Sequence, residues 1–465
     1  MPFLGKTQQV HFIGIGGTGM NGIAEVLINL GYRVSGSDLV RNQAVKRIES
    51  IGGRTFLGHH PDHVAGADVV VVSSAVSPDN VEVREAARRQ IQTIPRAEML
   101  GELMRMKYSI AIAGSHGKTS TTSMVSQILS GAGLDPTVVI GGRMGLVGGG
   151  AKLGKGPFLV AEADESDGSF LRLTPTVAVV TSIDEEHLDH YGSFADLKGA
   201  FKDFLNRVPF YGEAIVCADD PNLRELLPHL QRRTLTYGFQ EGADLVAADP
   251  VLNGARSEFQ VVLRGEKLGS IQLQIPGEHS ISNSLAAIAV GLDLEIDFST
   301  IAGSLANFQG PERRFQILGD AGGILVVDDY GHHPTEIRAT LAAARQGWPD
   351  RRRVVVFQPH RFSRVQALAE RFHACFGDAD LVIVTNIYPA GEDPLPGVRA
   401  QDLADGIRRS GHPGVEFVPV TAKICPRLME CTRAGDMVLT LGAGDVGAVA
   451  HQFARLQKER HKAVG

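Results

Sequence analysis

Residues 111–122 read AIAGSHGKTSTT: an apolar strand end, two glycines, a lysine, then a helix-forming run. A phosphate-binding loop of the ordinary kind reads G-x-x-x-x-G-K-[ST], with its first glycine five residues before the second. Counting back five from Gly117 gives Ile112, and the nearest upstream glycine is Gly114. The loop is short by that standard, but its context is right, with a strand before it and a helical run (TTSMVSQILSGAG) after it. Backbone N–H groups in such a turn, together with the positive helix end, suit phosphate oxygens. Lys118 would lie on the outer phosphates, and Thr119 would offer a hydroxyl to Mg²⁺. The competing reading is a tight turn with a solvated lysine, and the rest of the chain decides between them.

Upstream, Gly14-Ile15-Gly16-Gly17-Thr18-Gly19 fits G-x-G-x-x-G between the strand VHFI and the helical NGIAEVLINLGY. Asp38 ends the next strand, where a dinucleotide site puts its ribose-binding acid. Close helix–strand packing also selects glycine, so the pattern points to pyrophosphate binding rather than to one cofactor.

Short apolar strands alternate with helical patterns along the whole chain, the mark of parallel α/β sheets. The expected fold is α/β in three domains. Residues 1–106 form a Rossmann-like domain and residues 107–318 a central parallel α/β domain. Residues 319–465 form a second Rossmann-like domain. Alternating segments from about Thr234 to Ile275 predict a small antiparallel meander within the central domain.

At 465 residues the chain is too long for one core. Hydrophobic content of 43% with 21% charged residues is that of a globular protein. A formal net charge of −6, with no Lys/Arg block, argues against nucleic acid or an anionic membrane surface as partner. Cys217, Cys375, Cys425 and Cys431 show neither CxxC nor zinc spacing, which predicts reduced thiols in a cytoplasm. The N-terminus enters a strand without an apolar signal core, and no run of 18 apolar residues occurs.

Further motifs lie at strand ends, which face the ligand crevice in parallel sheets. AEADESDGS offers Glu162, Asp164, Glu165 and Asp167. Mg²⁺ takes one or two such carboxylates alongside phosphates, and Glu162 is nearest the strand. His187 and His190 in DEEHLDHYG lack a third zinc ligand, so a single histidine near Mg²⁺-bound phosphate, or a capped loop, is the better reading. DDYGHHPTE and QPHRFSR each follow an apolar strand, with Pro334 expected in a helix's first turn. Arg361 and Arg364, three apart, would share a helical face and grip a carboxylate or phosphate, unless they form a surface ion-pair cluster.

These motifs, in this order, resemble the Mur ligase family. HFIGIGGTGMNGIAEVL, AGSHGKTSTT, AEADESDGSF, EEHLDHYGSF, RRFQ, VDDYGHHPTEI, QPHRFSR and GAGDVG carry the resemblance over nearly the whole chain. GSHGKT is that family's shortened phosphate loop. The resemblance implies an ATP- and Mg²⁺-dependent amide ligase of peptidoglycan precursor synthesis, and it is nearest to the members that join L-alanine to UDP-N-acetylmuramate. By that resemblance Gly14, Gly16, Gly17, Thr18, Gly19, Met20, Asp38, Ser74 and Ala75 bind the UDP sugar. Gly114, Ser115, His116, Gly117, Lys118, Thr119, Ser120, His279, Asn283, Arg314 and Asp329 bind ATP. Thr119, Glu162 and His187 match the Mg²⁺ ligands. Tyr330, His332, His360, Arg361 and Arg364 match the amino-acid end, and Lys118, His332 and His360 the catalytic groups. Ser280 stands where relatives usually carry Asn, and neither Lys198 nor Lys202 is assigned a carbamylated role. The expected assembly is a monomer or weak homodimer.

The alternatives are a recycling ligase that adds a tripeptide to the same UDP sugar, an NAD-linked oxidoreductase, and a non-catalytic nucleotide-binding regulator. The oxidoreductase reading leaves GSHGKT, the acidic strand end and the last domain without a use.

Overall fold

Apolar runs of four to six residues followed by glycine turns and amphipathic helices give three sheets in a computed structural model. The structure describes residues 4–17, 19–73, 75–140 and 151–464. The chain divides into two compact units. One comprises Met1–Asp249, Gln260–Ile271 and Ser282–Phe308, and the other Pro250–Phe259, Gln272–Ile281 and Gln309–Gly465.

The first unit begins with a five-stranded sheet in the order Arg54–Leu57, Arg33–Asp38, Gln9–Ile13, Val69–Val72, Gln92–Pro95, all parallel. Its central strand is buried at Val10, Phe12 and Ile13, as expected where helices cover both faces. Strand order reverses at Gln9–Ile13, so the turn after that strand lies at a topological switch point.

A second sheet has ten strands, with Tyr108–Ala113 between Val177–Val180 and Phe158–Glu162, parallel to both. The loop after Ile112 and the acidic segment after Glu162 therefore leave neighbouring strands at the same end. The segments expected as a small antiparallel meander belong to this sheet, with Leu245–Asn253, Arg256–Leu263 and Glu266–Leu273 as consecutive neighbours at one edge, and it is the first strand that departs from the expectation. Thr234–Gly238 pairs parallel with Glu213–Cys217, and Leu245 lies opposite Tyr237, again parallel. Burial of Leu235 and Tyr237 makes this an interior strand, which alternation alone did not distinguish from an edge.

The second unit holds a six-stranded sheet in the order Gln316–Ala321, Ile324–Asp329, Asp436–Leu441, Arg352–Phe357, Leu381–Val384, Val415–Phe417. Only Gln316–Ala321 runs antiparallel to its neighbour. Gly322 and Gly323, at φ 61° and 76°, make the two-residue turn between this strand and the next, a geometry that favours glycine at both places. The expected start of this unit, residue 319, falls inside the first strand of that hairpin. Val327, Val355, Phe357, Ile337, Leu341 and Phe372 form part of the core on one face of the sheet.

Candidate functional site

The first glycine loop leaves the central strand at Gly14 (φ 82°) and enters the helix Met20–Asn29 through Gly19 (φ 80°). The Ser37 carbonyl accepts from the N–H groups of Gly14 (2.8 Å) and Ile15 (3.0 Å). Asp38 Oδ2 accepts from Gly16 N–H at 2.8 Å, and Asp38 Oδ1 from Val40 N–H at 3.0 Å. A Cβ on Gly16 would stand 2.8 Å from Val45 Cγ2. Gly17 N–H donates to the Gly14 carbonyl at 3.0 Å. Beside Asp38 a hollow of about 220 Å³ is lined by Val40, Arg41, Thr55, Phe56 and Leu57 among others.

Met20 was expected at the sugar nucleotide, but its side chain is fully buried and its N–H donates to the Gly17 carbonyl at 3.1 Å. It fills the helix's first core position. Ala75 is exposed, and its N–H donates to Ser73 Oγ at 3.3 Å. Thr18 and Ser74 lie outside the described residues. Sequence reasoning missed Arg96, at the start of the helix Arg96–Arg105: a Cβ on Gly19 would lie 2.5 Å from its Nη1. Nothing local in the sequence links these two positions.

The second loop repeats the plan. Gly114 (φ 126°) and Gly117 (φ 85°) bracket it, and the helix Lys118–Gly131 follows. A Cβ on Gly117 would meet Asn283 Oδ1 at 2.3 Å, so Asn283 lies against the loop, where Thr121 Oγ1 also donates to it at 3.3 Å. Ser115 Oγ accepts from Asp184 N–H (2.8 Å), His116 N–H donates to Ser182 Oγ (3.1 Å), and His116 Nε2 lies 3.0 Å from Asp184 Oδ2. Thr119 and Ser120 are half-buried in the first helical turn.

Lys118 Nζ donates to the Gly114 carbonyl at 2.5 Å and to both oxygens of Glu165 at 2.8 and 2.9 Å. Glu165 is buried. Burial lowers the lysine's affinity for its proton, but Glu165 more than offsets this and holds Lys118 above its ordinary range. Glu165, Glu186 and His187 each bring one ligand atom within 4.8 Å of the others. Two carboxylates and an imidazole beside a phosphate loop fit Mg²⁺, which binds few protein groups and completes its shell with water and phosphate. Glu162, expected as the strand-end ligand, is half-buried as the last residue of Phe158–Glu162 and is not one of these three. His187 is one of them, held at φ 56° ahead of the short helix Leu188–Tyr191.

In the second unit Pro334 does open a helix, Pro334–Gly347, whose capping box pairs His333 with Glu336. The Glu336 carboxylate accepts from His332 N–H at 3.0 Å and from Arg314 Nη1 at 3.2 Å. The Arg314 guanidinium lies 5.3 Å from the Tyr330 ring centre. Both oxygens of Asp329 are occupied by backbone, accepting from Phe315 N–H (2.6 Å) and Gly331 N–H (2.7 Å). His332 meets His360 edge to face at 5.5 Å, and Arg364 Nη1 lies 3.2 Å from His360 Nδ1. Burial pushes His332 down to about 3, against the pull of Glu336. Burial and then Arg364 push His360 down to about 4, and burial and then Arg314 do the same to His279. All three imidazoles are neutral near pH 7.

Arg361 departs from expectation. The helix starts at Phe362, and Arg361 precedes it at φ 67° with an exposed side chain, so the two arginines do not share a helical face. Glu336 was also missed, because a histidine at the cap position disguises the Ser/Thr-x-x-Glu signature.

The description "Mur ligase family, catalytic domain" matches residues 9–108, "Mur ligase middle domain" residues 112–291, and "Mur ligase, glutamate ligase domain" residues 313–444. The UDP-N-acetylmuramate–L-alanine ligase of Geobacter sulfurreducens is 53% identical, over 98% of this chain and 99% of its own. That of Syntrophobacter fumaroxidans is 52% identical, over 96% and 95%. The crystal structure of UDP-N-acetylmuramate–alanine ligase from Thermotoga maritima is similar at a TM-score of 0.81 and 28% identity, covering 98% of this chain and all of that one. With two glycine loops built on one plan, a lysine held at the second, and relatives matched end to end, the chain belongs to the Mur ligase family.

Proposed function

We propose that the chain is an ATP-dependent amide ligase that joins L-alanine to the lactyl carboxylate of UDP-N-acetylmuramate, releasing ADP and phosphate, in cytoplasmic synthesis of peptidoglycan precursors. The observation that carries this reading is Lys118, placed at a helix start and balanced by buried Glu165. Relatives over half identical that carry this activity in their names support it.

A carboxylate does not acylate an amine, because oxide is a hopeless leaving group. Transfer of the terminal phosphoryl group of ATP to that carboxylate gives an acyl phosphate, from which phosphate departs. Both reacting groups are anionic, so Lys118 would exchange Glu165 for the transferring phosphate and stabilise its charge. Gly114, Ser115, His116, Gly117 and Ser120 would surround the phosphates, with Asn283 beside Gly117. Glu165, Glu186 and His187 would hold Mg²⁺, with Thr119 and the strand-end Glu162 as further oxygen donors, and the ion would neutralise phosphate charge.

The first loop would take the UDP pyrophosphate at Gly19 and the helix start, with Arg96 as its cation, while the Gly16 and Gly17 N–H groups, bonded to Asp38 and the Gly14 carbonyl, would hold the loop's shape. Asp38 would face the uridine in the adjoining hollow. In the second unit His279, Arg314 and Asp329 would serve the nucleotide, Asp329 by fixing the backbone around Arg314. Tyr330, His332, His360, Arg361 and Arg364 would serve the amino acid, whose amine must be neutral to attack. A neutral His332, whose Nδ1–H donates to the Tyr330 carbonyl at 3.1 Å, keeps its Nε2 lone pair for the amine's proton, whereas the Nδ1 lone pair of His360 already accepts from Arg364.

The test is phosphate release from ATP with UDP-N-acetylmuramate and each amino acid in turn. The expected result is release that needs the UDP sugar and is fastest with L-alanine. Release with a peptide but not with alanine would replace this reading with the recycling one. Turnover of NAD(H) without ATP cleavage would overturn it.

A further inference from the structure

Glu82, in the first turn of the helix Val81–Arg88, is fully buried and has no part in the chemistry above. Its carboxylate accepts from Ser37 Oγ at 2.5 Å, lies 2.6 Å from His63 Nδ1, and accepts from His60 N–H at 3.2 Å. His59 Nδ1 and His11 Nε2 stand 3.4 and 3.5 Å away. His59 Nδ1 also reaches Ser37 Oγ at 3.0 Å, and His11 Nδ1 lies 2.9 Å from Ser35 Oγ. Burial pushes the Glu82 carboxyl up, yet His11, Ser37 and His63 together bring it down to about 2. It is therefore an anion throughout the working range.

A hydrophobic side chain of this size would pack the helix onto the sheet at less cost than a buried anion. What a hydrophobe would not do is hold Ser37 and the turn at residues 59–63 together. Those two segments adjoin the first glycine loop. The Ser37 carbonyl accepts from Gly14 and Ile15, and Asp38, the next residue, accepts from Gly16. The Asp38 carbonyl in turn accepts from Gly58 N–H at 2.8 Å, immediately before His59. His11 lies on the strand that runs into Gly14. Loop, strand end and turn thus form one hydrogen-bonded block with Glu82 behind it, held by Ser37, His63 and the His60 N–H, while His11 Nε2 approaches the carboxylate at 3.5 Å without a hydrogen bond.

We infer that Glu82 is a positioning residue for the sugar nucleotide: by fixing Ser37 and the 59–63 turn, it sets the glycine loop and Asp38 in the binding geometry. This rests on reading that loop as the UDP-sugar site. The test uses the full chain with Glu82→Gln and Ser37→Ala. Calorimetry measures UDP-N-acetylmuramate binding, and steady-state kinetics measure kcat and the KM for ATP and for L-alanine.

Glu82→Gln keeps the shape and removes the charge, and should weaken sugar-nucleotide binding about tenfold. Its kcat and its KM for ATP and alanine should be unchanged. Ser37→Ala, which cuts one link and leaves the buried anion with its histidines, should move the same constant in the same direction by less. Sugar-nucleotide affinity at the wild-type value in folded Glu82→Gln would overturn the proposal. So would an equal loss of affinity for ATP, alanine and sugar nucleotide, which marks a general structural role. Should Glu82→Gln fail to fold, Ser37→Ala decides alone, an unchanged affinity counting against the proposal. A wild-type enzyme that binds no UDP-N-acetylmuramate would instead overturn the reading of the loop itself.

Discussion

The two glycine loops of the first unit share a backbone plan and differ in the charge placed against it. At Gly14–Gly19 the helix opens with a buried methionine, a carboxylate, Asp38, is bonded to the loop's own N–H, and the nearby cation, Arg96, comes from another helix. At Gly114–Thr119 the helix opens with Lys118, neutralised by Glu165 and the Gly114 carbonyl. The first loop is fixed by the charged group it touches. The second carries a cation paired with a buried anion, which under the proposed function it would exchange for phosphate. The first suits a phosphate group that is only held, and the second a phosphate group that moves.

The strongest way to break this contrast is Lys118→Ala. Removing a charge that acts on the transferring group should cost about 10²–10³-fold or more in ADP formation. Binding of UDP-N-acetylmuramate, measured by calorimetry, should be nearly unaffected. Loss of sugar-nucleotide binding would mean that the loops are not separate in function.

Arg364→Ala tests whether the amino-acid group of residues in the second unit acts after the phosphate step. Losing one charge-assisted contact should raise the alanine KM by about 10–100-fold. Positional isotope exchange in ATP with UDP-N-acetylmuramate and no alanine should persist. Exchange lost with the alanine KM unchanged would put Arg364 on the phosphates. Because Arg361 is exposed and lies outside the helical face, Arg361→Ala should have the smaller effect.

Asp38→Ala sharpens the account of the first loop. It removes the acceptor for Gly16 N–H as well as the group beside the hollow, and should weaken the UDP sugar by about tenfold without creating any preference for NAD. An unchanged affinity would remove Asp38 from the site.

The smallest effect is on stability. His332, His360 and His279 have folded-state values of about 3 to 4, below the ordinary value of 6.5. Each is neutral when folded, so the stability tied to it is present above pH 6.5 and is lost as pH falls toward those values. The thermal midpoint should fall as the pH is lowered from about 7.5 to about 5. His332→Gln should reduce that fall, and a His332→Gln enzyme with an unaltered acid limb would contradict the burial of that imidazole.

What was legible in the sequence was local. A strand, a glycine turn and a helix lie within about 25 residues of one another, so both loops and the strand after Gly323 could be read from spacing. Side chains whose partners are distant in the chain could not. Three acids follow the strand Phe158–Glu162, which itself ends in a fourth, and Glu165 is the one opposite Lys118. The turn that brings Gly168 N–H to the Glu165 carbonyl has no residue signature that would have singled it out. Arg96 beside Gly19 and Glu82 beside Ser37 are likewise products of sheet order. The Thr234–Gly238 strand looked like half a meander because alternation reports one buried face and not the identity of the neighbour.

Calorimetric titration of two loop variants with both nucleotides tests the division between the loops most directly. Gly16→Val crowds the first loop against Val45 and Asn42, and Gly117→Val crowds the second against Asn283. Gly16→Val should lose UDP-N-acetylmuramate and keep ATP, while Gly117→Val should lose ATP and keep UDP-N-acetylmuramate. In each variant the retained ligand shows that the chain is folded. If both variants lose the same nucleotide and keep the other, one loop serves both phosphates and the division is wrong.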